Sequence, residues 1–302
     1  MTSRETLIIK LGALGDVLRT TPLLRRLPGP VTWVTDSSSL PLLAGLPGIH
    51  RLLTPSQSAS LRGRRYRRII NFDEDSRACR LASMMNSPSK IGAWIEDGRI
   101  TYCQASSPWF DMSLISRLGR READRLKKRG QRVYQDYLFA ACGLRFNGEE
   151  YLLPIRPARA NPDAVALEAR VGEKWPLKSW PGFAALRHRL GHQGLVPFEL
   201  RARRRLSDYL ADINRASIVV ASDTLAMHVG LALRKQVVAL FTCTSPNEIH
   251  GYGRLTKLVD RDLKKNFYLR TVPSRAKTSI SLETALKAIE QRRKQVLTSL
   301  PP

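Results

Sequence analysis

Short apolar runs alternate along the chain with stretches in which apolar residues recur at helical spacing. This alternation predicts strands joined by helices, the arrangement of a parallel sheet. The predicted strands are residues 7–9, 31–35, 49–53, 69–72 and 90–93 in the first half, and 164–171, 196–200, 217–221 and 236–241 in the second. The predicted helices are residues 17–27, 36–46, 77–85, 133–141, 183–190, 206–216, 224–233 and 281–298.

The alternation stops at residues 154–163, which contain three prolines, and then restarts. Such a composition is typical of a linker between domains. We therefore expect an α/β protein with two domains, residues 1–158 and 159–302. The last helix, residues 281–298, could instead pack back on the first domain.

The 302 residues are 43% hydrophobic and 25% charged, the balance of an ordinary globular protein. The four cysteines form no Cys-x-x-Cys pair, which predicts free thiols of a reducing compartment. The apolar run before Gly12 is too short for a signal peptide, and no run approaches the roughly 20 apolar residues of a membrane span. Together these features predict a cytoplasmic protein.

The formal net charge of +24 departs from ordinary composition. A field of this sign attracts nucleic acid, anionic lipid head groups or phosphorylated glycans; alternatively, the arginines only add solvated charge. Residues 62–68 place five arginines around Tyr66, either as an RNA-binding patch or as a solvated helix end before a strand. Because the chain contains no RNA-recognition or helix-turn-helix motif, we expect no dedicated nucleic-acid partner.

Residues 94–132 interrupt the strand–helix alternation. The segment is polar and strongly basic, and it predicts a long irregular insertion. Long loops in compact domains are often functional. We therefore interpret the segment as a basic flap over the ligand-binding edge of the first domain.

The first strand leads through Gly12 and Gly15 into a helix that starts near Asp16. Glycine allows such a turn to bend tightly or to approach a ligand closely. Asp16 either caps the helix by accepting a backbone N–H, or places a carboxylate at the strand-end crevice where open α/β sheets bind ligands. Asp73 follows the strand at 69–72 and has the same two interpretations.

A second strand–helix junction follows the apolar strand at 217–221, where Asp223 and Thr224 precede a helix. The free N–H groups at the start of that helix suit a diphosphate without any metal. Both residues are also suitable helix caps. His228, one turn into the helix, either packs the helix on the sheet or binds a ligand.

Two further polar residues stand at predicted strand ends in the second half. Lys178 lies between a strand and a helix in the segment 172–181, where a lysine either neutralises a phosphate as a point charge or is simply solvated. Glu199, near the end of the strand at 196–200, could hydrogen-bond a ribose, as acidic residues do at strand ends of dinucleotide-binding folds.

Residues 10–22, Lys-Leu-Gly-Ala-Leu-Gly-Asp-Val-Leu-Arg-Thr-Thr-Pro, resemble the N-terminal motif of glycosyltransferase family 9, the ADP-heptose heptosyltransferases. Residues 223–228 resemble the family's C-terminal pattern Asp-Thr-x-x-Met-His, and residues 178–181 resemble its Lys-x-Trp-Pro. The resemblance implies two Rossmann-like domains facing across a cleft, the GT-B type of glycosyltransferase fold.

The resemblance also implies roles for individual residues, with Asp16 as the catalytic base. The implied donor-binding residues are Lys178, Glu199, Asp223, Thr224, Leu225, Ala226, Met227, His228 and Thr244. The implied acceptor-side residues are Gly15, Arg19, Thr20 and Asp73, beneath the basic flap. The resemblance implies no metal site and no cofactor.

The implied reaction is inverting, metal-independent transfer of a heptose or related sugar from an ADP-sugar to an acceptor hydroxyl, in lipopolysaccharide core or related glycan synthesis. The implied partners are ADP-heptose or a similar nucleotide sugar and an anionic glycan or lipid-linked acceptor. Peripheral association with the inner face of the cytoplasmic membrane would follow from the charge.

One departure concerns the loop after the strand at 236–241, where Thr242-Cys243 replaces the family's Gly-Pro. We expect Thr242 to adopt a glycine-like backbone conformation there and the donor loop to differ. Two other classes of protein stay open: a non-catalytic family member that binds sugar nucleotides, and a basic nucleic-acid-binding protein.

Overall fold

The computed structural model describes residues 4–272 and 278–298. The chain divides into two compact units, Met1–Pro154 and Ile155–Pro302. The division falls inside the predicted proline-rich linker, and each unit contains a sheet with helices between its strands.

The N-terminal unit is built on a single sheet. Its strands are β1 (Thr6–Ile9), β2 (Val31–Val34), β3 (Ile49–Leu53), β4 (Arg68–Asn71), β5 (Lys90–Glu96) and β6 (Arg99–Tyr102). They are ordered β3-β2-β1-β4-β5-β6, with β1 to β5 parallel and β6 antiparallel to β5. Because the chain crosses from one side of β1 to the other between β3 and β4, a ligand crevice is expected at the carboxyl ends of β1 and β4.

The helices of this unit follow its strands. They are α1 (Leu14–Thr20), α2 (Leu40–Leu43), α3 (Ser76–Met84), α4 (Ser107–Phe110), α5 (Arg120–Arg129) and α6 (Tyr134–Ala141). The predicted helix at 17–27 is split, because Pro22 lacks a backbone N–H and stands in a 3₁₀ turn, Thr21–Arg25, directly after α1. The core beneath the helices includes Leu7, Ile9 and Leu81.

The prediction of an irregular insertion at 94–132 is wrong. Strand β5 continues to Glu96 and returns as β6 through Asp97 and Gly98, whose φ angles are +48° and +75°. An Asp-Gly pair favours a tight hairpin turn because both residues tolerate positive φ. The basic residues of the surrounding segment made this hairpin pattern hard to recognise in the sequence. Helices α4 and α5 then follow.

Helix α5 carries much of the charge of this segment. Ala123 is its buried residue, and the rest of the helix is largely polar. Ion pairs join Arg120 to Asp124 at 3.0 Å and Arg125 to Glu122, one turn apart. Such pairs stabilise an exposed helix by a few tenths of a kcal/mol each, about 0.2–0.5.

The arginine-rich run at 62–68 does not present an aromatic surface. Tyr66 is 1% exposed and belongs to the core of the N-terminal unit, while β4 begins two residues later. A buried ring cannot stack on a base, so the RNA-binding interpretation of this run loses its aromatic component. The structure favours the alternative, solvated arginines before a strand.

The C-terminal unit is built on a sheet whose strands are all parallel. They are β7 (Ala164–Glu168), β8 (Val196–Glu199), β9 (Ile218–Ser222), β10 (Gln236–Phe241) and β11 (Leu255–Val259). The order is β11-β10-β9-β7-β8. The central strand β9 is completely buried, as its apolar sequence predicts.

The helices of the C-terminal unit are α7 (Phe183–His192), α8 (Leu206–Asn214), α9 (Leu225–Ala232), α10 (Leu263–Asn266) and α11 (Leu282–Thr298). Helix α11 buries Ala285, Ala288 and Ile289 in the core of this unit. Its Arg293 also pairs with Asp163 at 2.7 Å, just before β7. The apolar face of the last helix therefore packs on the sheet of its own unit.

Both α/β units thus have the Rossmann-like character that the sequence predicts. Across the described residues, no helix is both long and apolar enough to cross a membrane.

Candidate functional site

Asp16 stands in the first turn of α1 rather than at its cap. The N-cap residue is Ala13, whose side chain makes no capping hydrogen bond, so Asp16 is not the N-cap residue of this helix. The Asp16 side chain is 44% exposed, and its Oδ1 lies 3.5 Å from Nε of Arg19. Gly15 lies beside it in the same turn. The structure therefore presents an accessible carboxylate at the carboxyl end of β1.

Arg19 is buried beneath Asp16 against aromatic rings. Its guanidinium carbon lies 4.0 Å from the ring centre of Tyr134 and 5.7 Å from that of Trp109. Gln135 Nε2 donates a hydrogen bond to the Arg19 carbonyl at 2.8 Å. A guanidinium stacked in this way has few accessible rotamers, so it holds the charge beside Asp16 in place.

Thr20 lies in the interior of the unit. Thr20 is 1% exposed. Its hydroxyl donates to the carbonyl of Asp16 at 2.8 Å and lies 3.0 Å from the hydroxyl of Tyr134. The structure therefore gives Thr20 a place in supporting the Asp16 turn, with its hydroxyl facing protein groups.

Asp73 ties the ends of β1 and β4 together. Its Oδ2 accepts the backbone N–H of Leu11 at 2.9 Å, and Lys10 Nζ lies 3.5 Å from the same oxygen. Burial lowers the pKa of Lys10, but the charges of Asp73 and Asp16 raise it more, so the net pKa is above its ordinary value. Asp75 supplies the cap of α3 by accepting the N–H of Arg77 at 2.8 Å.

A cavity of about 370 Å³ opens between the 3₁₀ helix Pro55–Leu61 and α3, beside Leu11, which lies two residues after β1. Its lining combines arginine and serine side chains with an apolar floor. The lining residues are Leu11, Pro55, Ser56, Ser58, Ala59, Arg62, Ser76, Arg77, Arg80, Leu81, Met84 and Met85. This lining suits a ligand with both anionic and apolar parts.

In the C-terminal unit, three of the predicted donor residues meet. Lys178 Nζ donates to the backbone carbonyl of Asp223 and to its Oδ2, the latter at 3.0 Å. His228 Nε2 lies 3.8 Å from Asp223 Oδ1. The side chains are 13%, 15% and 6% exposed for Lys178, Asp223 and His228. The cluster stands at the carboxyl end of β9, where an α/β sheet binds its ligand.

The Asp223 carboxyl is held in its ionised form. Burial alone would raise its pKa, but the charges of Lys178 and His228 lower the pKa below its ordinary value. Thr244 is 4% exposed in the loop after β10. A buried carboxylate that keeps its charge fixes the positions of the cations around it.

Thr224 is the N-cap residue of α9, as predicted, but its side chain makes no capping hydrogen bond. Asp223 binds the cations, and the hydroxyl of Thr224 donates to the carbonyl of Ser222 at 3.3 Å. The first N–H groups of α9, from Leu225 to Met227, have no acceptor within the helix because of their position. Since the Ala226 and Met227 side chains are buried, these residues can offer a ligand only their backbone.

The prediction that Thr242 adopts a glycine-like backbone is wrong. Among the described residues other than glycine, positive φ occurs at Asp97, Arg234, Tyr252 and Tyr268. The Thr242 hydroxyl instead donates to the carbonyl of Leu177 at 2.6 Å. Ser222 Oγ donates to the carbonyl of Lys178 at 2.5 Å. The two hydroxyls anchor the segment that carries Lys178.

Glu199 lies outside this cluster. Strand β8 is the edge strand and is separated from β9 by β7. The Glu199 side chain is 50% exposed and pairs with Arg187 at 3.3 Å. Its proposed contact with a ribose is a prediction that the arrangement of protein groups alone does not test.

Two groups of site residues were missed from sequence. Glu168, at the end of β7, accepts hydrogen bonds from Tyr209 at 2.5 Å and from Arg170 at 2.7 Å. The rings of Trp175 and Tyr268 meet edge to face, with centres 5.4 Å apart. The Trp175 carbonyl accepts the N–H of Lys178 at 3.0 Å, and the N–H of Tyr268 donates to the Cys243 carbonyl at 2.8 Å. Glu168 could have been noticed from sequence, because it is an acidic residue at the end of a buried strand. The pairing of Trp175 with Tyr268 joins distant segments and left no signal in the sequence.

Among residues 4–272 and 278–298, no group of three or more histidine, cysteine, aspartate or glutamate side chains is placed to hold a metal ion. The four cysteines are free thiols.

Comparisons with known proteins show similarity to one family of glycosyltransferases. The model of glycosyltransferase family 9 (heptosyltransferase) matches residues 182–271, inside the C-terminal unit. No curated protein matches the chain.

Solved structures share the fold over nearly the whole chain. A family 9 glycosyltransferase from Veillonella parvula is 18% identical, with a TM-score of 0.67, over 98% of this chain and 99% of its own. The E. coli heptosyltransferase WaaC, solved with ADP-2-deoxy-2-fluoro heptose, is 15% identical, with a TM-score of 0.59, over 95% and 99%. E. coli ADP-heptose lps heptosyltransferase II is 16% identical, with a TM-score of 0.60, over 96% and 99%.

The two Rossmann-like units give this chain the fold of the GT-B class of glycosyltransferases. The predicted resemblance to glycosyltransferase family 9 is confirmed, in sequence within the C-terminal unit and in fold along nearly the whole chain.

Proposed function

We propose that the protein transfers a heptose or a related sugar from an ADP-sugar to an acceptor hydroxyl, with inversion at the anomeric carbon and without a metal. The observation that carries the proposal is the cluster of Lys178, Asp223 and His228 at the start of α9, in the unit that matches the family model. A cation beside a helix N-terminus is a suitable site for a diphosphate.

The donor half of the proposal uses Lys178 and α9. A diphosphate at the start of α9 accepts hydrogen bonds from the N–H groups of Leu225 and Ala226, and Lys178 adds a positive charge. Asp223 keeps Lys178 in position before the donor arrives. The structure of WaaC with ADP-2-deoxy-2-fluoro heptose supports an ADP-sugar rather than another nucleotide sugar as the donor.

The reaction is a single displacement. Asp16 accepts the proton of the acceptor hydroxyl while the oxygen of that hydroxyl forms a bond to the anomeric carbon. The bond from that carbon to the diphosphate breaks, and ADP leaves with the electron pair. Lys178 and the helix N–H groups stabilise the charge that develops on the leaving diphosphate, which is the part a metal plays in other transferases. Arg19 keeps Asp16 in place through the pair at 3.5 Å.

The acceptor half of the proposal uses the cavity of the N-terminal unit. Arg62, Arg77 and Arg80 line it together with Leu81 and Met84. Arg77 already pairs with Asp36 at 3.2 Å and Asp75 at 2.9 Å. The mixed lining supports an anionic glycan or a lipid-linked acceptor, as in lipopolysaccharide core synthesis. With such an acceptor, the protein would act at the cytoplasmic face of a membrane.

The test measures ADP release from ADP-heptose with and without a phosphorylated core glycolipid, in the presence of a metal chelator. The proposal expects release that depends on the acceptor, that the chelator leaves unchanged and that yields the opposite anomeric configuration in the product. Release that requires a divalent metal, or a product of retained configuration, would contradict the mechanism.

A further inference from the structure

Two large apolar side chains project from the N-terminal unit just before its most basic helix. Leu114 is 60% exposed and Leu118 is 53% exposed, although most leucines of this unit are buried. They are four residues apart in the loop between α4 and α5. Exposed leucines singly are ordinary, but a pair next to a cationic helix is a pattern of membrane-interface segments.

The loop that carries the two leucines is held firmly by the protein. The N–H of Leu114 donates to Glu74 Oε2 at 3.2 Å, and the N–H of Arg117 donates to the Tyr102 hydroxyl at 2.9 Å. The Arg117 guanidinium stacks over the Tyr102 ring at 4.0 Å and donates to its carbonyl. The leucines are therefore presented outward by a fixed loop, which lowers the entropy cost of docking them.

The charges around the leucines are strongly positive. Residues 114–132 contain eight basic and two acidic residues, and both acidic residues pair with arginines of α5. Arg121, Lys128 and Arg129 are exposed on the same helix. A basic residue near an anionic bilayer contributes about 1 kcal/mol, or roughly fivefold in binding.

We propose that Leu114, Leu118 and the exposed cations of α5 form a docking surface for an anionic lipid bilayer. The leucines enter the boundary between head groups and acyl chains, while the cations contact lipid phosphates. Two leucine side chains offer far less than the roughly 1,200–2,000 Å² that stable protein–protein interfaces bury, so a bilayer fits better than a second copy of the chain.

The docking surface is joined directly to the acceptor side of the N-terminal sheet. Glu74, which holds the loop through Leu114, lies two residues before Ser76 of the cavity lining. Docking through this loop therefore brings the start of α3, which lines the cavity, near the lipid surface. This consequence rests on the proposed function, whereas the docking itself does not.

The test is co-sedimentation of the full chain with vesicles of phosphatidylglycerol and phosphatidylcholine in equal parts, and with vesicles of phosphatidylcholine alone. We expect binding to the anionic vesicles that weakens with salt, and little binding to the neutral ones. Replacing Leu114 and Leu118 by serine should weaken binding about tenfold or more, and the triple variant Arg121→Gln, Lys128→Gln, Arg129→Gln about a hundredfold.

Matched controls come from the C-terminal unit. Val196 is 51% exposed, and Arg189, Arg201 and Arg204 are exposed there. Val196→Ser and the triple change of these arginines to glutamine should leave vesicle binding within about twofold of the unmodified protein. Equal losses in both units would show diffuse charge attraction and overturn the proposal, as would binding that neither leucine nor cation variants weaken.

The same variants separate this proposal from the proposed function. Calorimetric titration of ADP into the leucine and cation variants should give the affinity of the unmodified protein, because none of these residues lies in the C-terminal unit. Lost vesicle binding with intact ADP binding supports the docking surface. Intact vesicle binding by a protein that binds no nucleotide sugar would refute the proposed function alone.

Discussion

Lys178 Nζ lies 3.0 Å from Oδ2 of Asp223, a residue 45 positions later in the chain. The two side chains belong to a 3₁₀ turn after β7 and to the carboxyl end of β9, and both are largely buried. A buried ion pair of this kind contributes little net stability by itself, because desolvation offsets the attraction. In the proposed function, the pair holds a cation ready at the place where the diphosphate binds.

The first prediction concerns this cation. Lys178→Ala should weaken binding of an ADP-sugar about ten- to a hundredfold, since a charge-assisted contact is worth about 1.5–3 kcal/mol. Isothermal titration measures the change. Lys174→Ala is the matched control, because Lys174 is an exposed lysine of the same loop. Equal effects of both substitutions would show that Lys178 makes no contact of its own with the donor.

The second prediction concerns the base. Asp16→Asn should lower turnover about 10²- to 10⁴-fold while leaving ADP-sugar affinity near normal, because the amide keeps the shape of the side chain and cannot accept the proton. Steady-state rates and donor titration measure the two effects separately. Asp97→Asn, at the tip of the β5–β6 hairpin, should leave both unchanged. Near-normal turnover of Asp16→Asn would remove Asp16 as the base.

The third prediction concerns the Thr242 hydroxyl. Thr242→Val keeps the shape of the side chain but leaves the Leu177 carbonyl without its donor at 2.6 Å. A buried polar group left unsatisfied costs about 1–3 kcal/mol, which denaturant unfolding would detect. Donor affinity should fall as well, because Leu177 precedes Lys178. Thr242→Ser should restore both, and a failure of serine to do so would show that the methyl group matters instead.

The fourth prediction concerns the pH dependence of stability. Lys235 donates to the carbonyls of Ala158 at 2.9 Å and Asn214 at 2.7 Å, and burial lowers its pKa from 10.5 to about 8. Between pH 8 and pH 10.5 the unfolded chain holds this proton and the folded chain does not. The free energy of unfolding should therefore gain a rising contribution across that window.

The matched variant for this prediction is Lys235→Met, which keeps the length of the side chain and removes the titration. The difference in unfolding free energy between the unmodified protein and the variant, followed by urea unfolding, should grow from pH 8 to pH 10.5. A difference that stays constant with pH would show that Lys235 has the same pKa in the folded and unfolded chains.

The parts of this fold that sequence predicts are those fixed by local pattern. The buried strands at 218–222 and 236–241 appear within a residue of their predicted bounds, because continuous apolar runs leave few alternatives. The meeting of Lys178, Asp223 and His228 was also foreseeable in part, since each lies in a segment that follows the carboxyl end of a strand. Parallel strands bring those ends to one edge.

The parts that sequence missed depend on contacts between distant segments. Strand β11 is an edge strand of mixed composition, and its Lys257 donates to the carbonyls of Pro246 and Ile249 at 2.6 and 2.7 Å. Thr242 likewise gains its role from Leu177, which lies 65 positions earlier. Such tertiary hydrogen bonds override what a residue's own preference predicts.

The central claim, that the C-terminal unit binds an ADP-sugar for transfer, is tested most directly by isothermal titration of ADP, ADP-heptose, UDP-glucose and GDP-mannose into the full chain without metal. The account predicts binding of the two adenine compounds alone, weakened by Lys178→Ala and unchanged by Lys174→Ala. Preference for a uridine or guanosine compound, or the absence of binding by all four, would contradict it.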